Sequence, residues 1–187
     1  DNCDDCSSGT YDVSDDGTDT DADGTCDAGD GTPNGAVSLS FANGTETSID
    51  IEYDATNAIG GYQFVVEGVN LTAVADGPFA GTVSFNWQNG TVIGFSMSGA
   101  TLPAGSGTLL HLEFEAEDGG SAISLSGIEF TDAGSNGANV MDVTSTGADI
   151  AACWNYDGDS LADGAYAGTG NGGCDLYDPD DDNDGAA

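Results

Sequence analysis

The chain has 187 residues, room for one ordinary domain with flanking segments and enough to bury a core, but not for two large domains. It carries 34 Asp and Glu against no Lys or Arg, a formal net charge of -34, so self-repulsion opposes folding unless metal ions, water and salt, or protonation relieve it. That balance excludes the basic patch which nucleic acid and anionic membrane surfaces require, and no apolar run approaches the roughly 20 residues of a membrane helix.

Composition divides the chain into an Asp/Cys-rich head over residues 1–33, an apolar middle over residues 34–150 and an Asp/Gly-rich tail over residues 151–187. Neither an initiator Met nor a signal peptide stands at the start, which reads as a processed or excised segment. The five Cys, Cys3, Cys6, Cys26, Cys153 and Cys174, all lie in the flanks. Their placement fits disulfides in an oxidising compartment, hence an extracellular or bacterial cell-surface protein. Cys6 to Cys26 and Cys153 to Cys174 bracket Asp-rich sequence over similar spans, which favours one bridge across each and leaves Cys3 over. Each bridge would contribute about 3 kcal/mol by restricting the unfolded chain, although connectivity is not deducible from sequence.

The head contains the sharpest motif, the run from Asp19 to Asp30. Asp19, Asp21, Asp23, Asp27 and Asp30 occupy positions 1, 3, 5, 9 and 12 of a twelve-residue loop, with Gly24 at position 6 and Thr25 at position 7, where a backbone carbonyl points inward. Hard oxygen ligands at alternate positions can fold around one Ca2+, which accepts six to eight oxygens, whereas magnesium demands a tighter octahedron. A solvated acidic linker is the alternative. With Asp1-Asn2-Cys3-Asp4-Asp5-Cys6 and Asp27-Ala28-Gly29-Asp30, the head resembles thrombospondin type 3 repeats and related bacterial calcium repeats, whose Asp-rich loops alternate with Cys. It departs from an EF-hand, since Asp30 replaces the bidentate Glu and no helix flanks the loop.

The middle alternates apolar and polar residues, as in Val37 to Phe41, Ile49 to Tyr53 and Leu110 to Glu115, and period two predicts half-buried strands. Gly61 to Glu67, Gly81 to Trp87, Thr91 to Met97 and Ala122 to Phe130 are further strands, separated by Asn-Gly, Asp-Gly, Pro-Ala-Gly and Gly-Gly breakers. Nothing reads as an amphipathic helix. The fold class is therefore all-β, an antiparallel jelly-roll-like β-sandwich of eight or nine short strands with irregular Asp-rich calcium loops at both ends. The segments Ile59 to Phe64, Val92 to Ser96, Leu102 to Leu110 and Ile128 to Asp132 resemble the cohesin-like domains of bacterial secreted proteins, over roughly residues 36 to 150. That resemblance implies a scaffold or adhesion module, and cellulosomal cohesins bind dockerins through a sheet face.

In the tail, Asp180, Asp182 and Asp184 with Gly185 fill positions 1, 3, 5 and 6 of the same template before Ala187. A second copy placed directly after Ala187 would bring its Asp1 to position 9 and its Asp4 to position 12. Head-to-tail copies, covalent or in a filament, would then share a calcium site at each junction; a chance match among acidic repeats is the alternative. Asn155, Asp157, Asp159, Leu161 and Asp163 follow positions 1, 3, 5, 7 and 9 and lack the Gly.

The single histidine, His111, alternates with Glu113 and Glu115 and reads as a surface residue; no recognisable segment supplies the nucleophile and orienting partner that a catalytic His would need. Among 34 acids any carboxylate pair is uninformative, so the chain reads as no enzyme. The sequons Asn43-Gly44-Thr45, Asn70-Leu71-Thr72 and Asn89-Gly90-Thr91 permit glycosylation of a secreted glycoprotein, although Asn-Gly is also an ordinary turn dipeptide. Trp87 and Trp154 read as packing the core and the tail, the alternative being an exposed aromatic that grips a sugar. Together these features predict a secreted, calcium-dependent structural or adhesive module that repeats in an extracellular fibre with itself as partner. The alternative is a recognition module for an extracellular glycan or protein, with no nucleic acid and no membrane span.

Overall fold

The computed structural model describes residues 17–77, 79, 81–116, 120–134 and 139–151. Ten strands occur among them, with no helix. They are β1 (Ala36–Ala42), β2 (Ser48–Ala55), β3 (Ile59–Glu67), β4 (Leu71–Asp76), β5 (Thr82–Asn86), β6 (Thr91–Phe95), β7 (Gly105–Phe114), β8 (Ser121–Asp132), β9 (Asp142–Ser145) and β10 (Ala148–Ile150). They form two five-stranded sheets, in the orders β4-β7-β2-β1-β9 and β10-β8-β3-β6-β5. The all-β sandwich expected from the alternation is what the chain adopts.

All seven strands named from the pattern are present, and the three unnamed ones are β4, β9 and β10. One pairing departs from the antiparallel expectation, since β1 runs antiparallel to β2 but parallel to β9, with Val37 opposite Val143. The cause is topological: β9 arrives after a crossover from the other sheet and closes the edge of the first beside β1, whereas only β1–β2 and β5–β6 are joined as consecutive strands and the remaining antiparallel pairs bring together strands distant in sequence.

Period two does its work on the inner faces. Val37, Leu39, Ile49, Ile51, Tyr53, Leu110, Leu112 and Phe114 point inward from the first sheet, and Ile59, Tyr62, Phe64, Val66, Val92, Ile123 and Phe130 from the second. Tyr62 stacks between Phe64 and Phe130, with ring centroids 5.9 and 5.4 Å away, and meets the edge of Phe79 at 5.6 Å. Such aromatic pairs add about 0.5–1.5 kcal/mol each beyond their buried area. Within β7 the alternation slips: Ile51 faces Leu110 but Glu52 faces Thr108, so Leu109 is an extra, buried residue at a β-bulge.

Residues 17–35 form an irregular loop that leads into β1. It is seated against the turn between β2 and β3, where Asn57 Nδ2 donates to the carbonyl of Asp21 at 2.7 Å. Thr56 and Ala36 exchange bonds nearby, through Ala36 N to Thr56 Oγ1 at 2.8 Å and Thr56 N to Ala36 O at 3.0 Å. The loop is thus tied to that turn through Asn57, and the start of β1 is fixed beside it through Thr56.

Candidate functional site

Three carboxylates converge at the centre of the Asp-rich loop. One carboxylate oxygen from each of Asp19, Asp21 and Asp23 lies within 4.8 Å of the others, close enough to hold a single metal ion. Alternate residues converge because the backbone between them turns repeatedly. Asp23 N donates to Asp21 Oδ1 at 3.2 Å, Thr25 N to Asp23 Oδ1 at 2.7 Å, and Gly24 N reaches back to Asp19 Oδ2 at 3.1 Å. These are Asx-type turns, in which an Asp side chain takes a backbone N–H that would otherwise seek a helix or sheet partner. Two residues stand in the left-handed region, Ala22 with φ 61° and Gly24 with φ 93°. At Gly24 the absence of a Cβ makes that turn inexpensive; Ala22 holds it against the usual steric preference.

Asp30 returns at the end of the loop. Its Oδ1 accepts from Thr32 N at 2.8 Å, while its Oδ2 is buried with no hydrogen-bond donor, and so is Asp19 Oδ1. Electrostatics join the four acids: burial first, and then the charges of Asp23, Asp30 and Asp19, raise the carboxyl of Asp21 above its ordinary value. A cation among these groups would offset the repulsion and favour the ionised form of each carboxylate.

Asp27 plays a different part from its neighbours. Its two oxygens accept from the N–H and the hydroxyl of the same residue, Thr20, at 2.8 and 2.7 Å. Those bonds hold its carboxyl below the ordinary range and, with Asp27 N to Thr18 O at 2.8 Å, close the loop into a ring. Beside it, Cys26 is buried and disulfide-bonded. The other four cysteines lie outside the described residues, as do Asp1, Asp4, Asn155, Asp157, Asp159, Leu161, Asp163, Asp180, Asp182 and Asp184. Of the sequence-predicted ligands, the structure therefore brings together Asp19, Asp21 and Asp23, places Asp30 within their field and gives Asp27 to Thr20. Thr25 lies next to the cluster along the chain, with its N–H bound to Asp23.

No protein-family model matches the chain, and no curated protein matches it either. Among solved structures it is similar to a non-cellulosomal cohesin from the hyperthermophilic archaeon Archaeoglobus fulgidus, at 15% identity and TM-score 0.49, covering 62% of this chain and 89% of that one. The likeness is one of fold and carries nothing about activity or partners.

The outer faces of the two sheets differ in chemistry. On the first, a groove of about 520 Å³ is lined by Ser38, Ser40, Glu52, Asp54, Ser106 and Thr144. Beyond it His111 Nδ1 meets Asp50 Oδ1 at 2.6 Å, across the β2–β7 register. Asp50 is held below its ordinary range by the amide of Asn43 and then by His111. The surface position read for His111 is correct, and its hydrogen-bond partner is an acid directly across the β2–β7 pair. The second sheet exposes apolar side chains instead: Ile93 and Phe95 on β6, with Met97 just beyond. Trp87 corrects its sequence reading as a packing residue. It is 70% exposed, because the β5–β6 turn carries it past the edge of the core.

Proposed function

We propose that this chain is an extracellular structural module whose Asp-rich loops are organised by calcium, a unit that repeats along a fibre or stalk and does no chemistry of its own. The observation that carries the reading is the convergence of Asp19, Asp21 and Asp23, with the buried, donor-less oxygens of Asp19 and Asp30, in a chain without Lys or Arg. An oxygen-only cluster of this kind suits a hard cation with a flexible coordination sphere, which is calcium's chemistry more than that of magnesium or zinc. Asn57 supports the structural role, because it connects the loop to the sandwich and would transmit order from one to the other. In this reading the head, the sandwich and the tail are three parts of one unit, and the acids of the tail complete a junction site with the head of the next copy.

Imaging the natively sourced protein before and after chelation, with calcium restored to the same sample, tests this. Ordered fibres that fall into beads and recover support it. Dispersed particles under all three conditions overturn the assembly.

A second reading rests on the exposed Ile93, Phe95 and Met97 beside β3 and β5 on the outer face of the second sheet. Exposed apolar side chains grouped on one sheet face suit a protein partner, so the sandwich would act as a recognition module. Replacing Ile93 and Phe95 with Ser should abolish binding of such a partner without affecting calcium, and unchanged partner capture would exclude this face.

A further inference from the structure

The three Asn-x-Thr sequons differ in what their side-chain amides are doing. Asn43 Nδ2 donates to Asp50 Oδ2 at 2.7 Å, within the pair that Asp50 makes with His111. Asn70 Nδ2 donates to Glu115 Oε2 at 3.3 Å. Asn89 is exposed, and its Oδ1 accepts the backbone N–H of Thr91 at 3.2 Å, whereas its Nδ2 has no protein partner among the described residues. That closure orders the Asn and the Thr of the sequon against each other and leaves the amide nitrogen to solvent.

The surrounding turn, Trp87 to Gly90, explains some of its residues and not others. Asn86 O accepts from Asn89 N at 3.4 Å and Gly90 N at 2.9 Å, and Asn86 Oδ1 from Gln88 N at 2.9 Å. Gly90 has φ 70°, and a Cβ there would collide with the carbonyl oxygen of Val66. Turn geometry thus accounts for Asn86 and Gly90. It does not account for Trp87, whose large indole stands 70% exposed two residues before the free amide. An exposed indole presents a flat apolar face with an N–H at its edge, which suits a ligand that has both apolar and polar faces. The ring also borders a cleft of about 360 Å³ with Gln88, Asn70, Leu71 and Glu115, which supply polar groups beside an aromatic face.

We propose that Asn89 is an N-glycosylation site and that the Trp87 indole is the platform on which the first sugar rests. The transfer forms a bond between Asn89 Nδ2 and the anomeric carbon of a sugar, and breaks the bond from that carbon to a phosphate oxygen of a lipid-linked glycosyl phosphate or diphosphate donor. The phosphate leaves with the electron pair, the amide proton passes to a base of the glycosyltransferase, and no redox step is involved. The apolar C–H face of a pyranose then covers the indole, and its hydroxyls meet Gln88, Asn70 and Glu115. The proposal requires export of the chain but neither calcium binding nor polymerisation, so its failure and that of the fibre reading are separable.

Mass-spectrometric peptide mapping of the protein secreted by its native host tests the site. The peptide containing Asn89 is expected to carry sugar mass, with those of Asn43 and Asn70 bare; an unmodified Asn89 overturns the proposal. In the same host, Trp87→Ala should still carry sugar at Asn89, because the contact with the indole forms after transfer; loss of the sugar in that variant would make Trp87 part of what the transferase recognises and overturn the platform. Quenching of indole fluorescence by a small neutral quencher in a Trp154→Phe background gives a second readout. Quenching should rise when the glycan is cleaved, and unchanged quenching counts against the contact. Saturable quenching of an unmodified chain by free oligosaccharide would replace the proposal with a lectin-type site.

Discussion

Asn57 Nδ2 lies 2.7 Å from the carbonyl oxygen of Asp21, and through that bond the sandwich holds the middle one of the three converging Asp residues. The bond joins residues 36 positions apart and is among the few that tie the loop to a rigid element. Replacing Asn57 with Ala removes it and leaves the three carboxylates unchanged. A net hydrogen-bond contribution of about 1 kcal/mol predicts roughly a fivefold loss of calcium affinity in Asn57→Ala, since the looser loop must be ordered on binding. Titration calorimetry reads this directly. An unchanged affinity would mean that the loop is organised by its own turns alone.

Neutralising Asp21 should have two effects of opposite sign. Its carboxylate is disfavoured by burial and by the charges of Asp23, Asp30 and Asp19, so Asp21→Asn relieves the metal-free loop of repulsion. In the proposed calcium site the same change deletes a charged ligand, and calcium affinity should fall roughly tenfold or more. Hydrogen exchange of the loop in chelator should therefore slow in Asp21→Asn while calorimetry shows weaker binding. A variant that loses both order and affinity would assign Asp21 a purely structural role.

Acid should act on the loop in two stages. Asp27 is held below its ordinary value of 3.8 by the hydroxyl and N–H of Thr20, so its folded form binds a proton less readily than its unfolded form. Its contribution is full above that ordinary value and is lost as the pH falls through the lower, folded value. Asp21 is shifted the other way: its penalty is present above its raised value and is gone once the pH is below 3.8. In chelator, protection of the Thr20 amide, corrected for intrinsic exchange, should hold or improve on mild acidification and then collapse at lower pH. Asp27→Asn should abolish the late collapse by lowering protection throughout; a wild-type profile in that variant would rule out the Thr20 bonds as its source.

Much of the sandwich was legible because burial on one face writes period two into Ile49 to Tyr53 or Leu110 to Phe114. β4, β9 and β10 were not, for they hold their places by backbone pairing: Leu71–Asp76 has small Thr and Ala at half of its positions, and Asp142–Ser145 has a single apolar residue. The bulge at Leu109 likewise hid the first half of β7, since an extra residue flips the side-chain phase. At the loop, spacing alone indicated Asp19, Asp21 and Asp23, because local turns decide how they converge. The use of Asp27 by Thr20 and the reach of Asn57 depend on how the loop closes and seats, which template positions do not encode. Trp87 was misplaced because hydrophobicity names what a residue would gain from burial, not whether the turn around it reaches the core.

The sandwich and the acidic loop should come apart thermodynamically. Phe130 is fully buried and stacked on Tyr62, and its replacement by Ala leaves a cavity that costs about 3–5 kcal/mol. That loss belongs to apolar burial, so it should appear with equal size in calcium and in chelator. Removing calcium should instead loosen residues 19–30, where the charges converge, and spare β1 to β10, which are held by a cluster of buried apolar residues. Denaturant unfolding followed by the far-ultraviolet strand signal, with and without chelator, separates the two. Similar midpoints for the wild type in both conditions and a lowered midpoint for Phe130→Ala in both would match this division. A wild-type sandwich that unfolds on chelation would instead make calcium part of the folding of the whole domain, with Asn57 as the route by which order at the loop reaches β2 and β3.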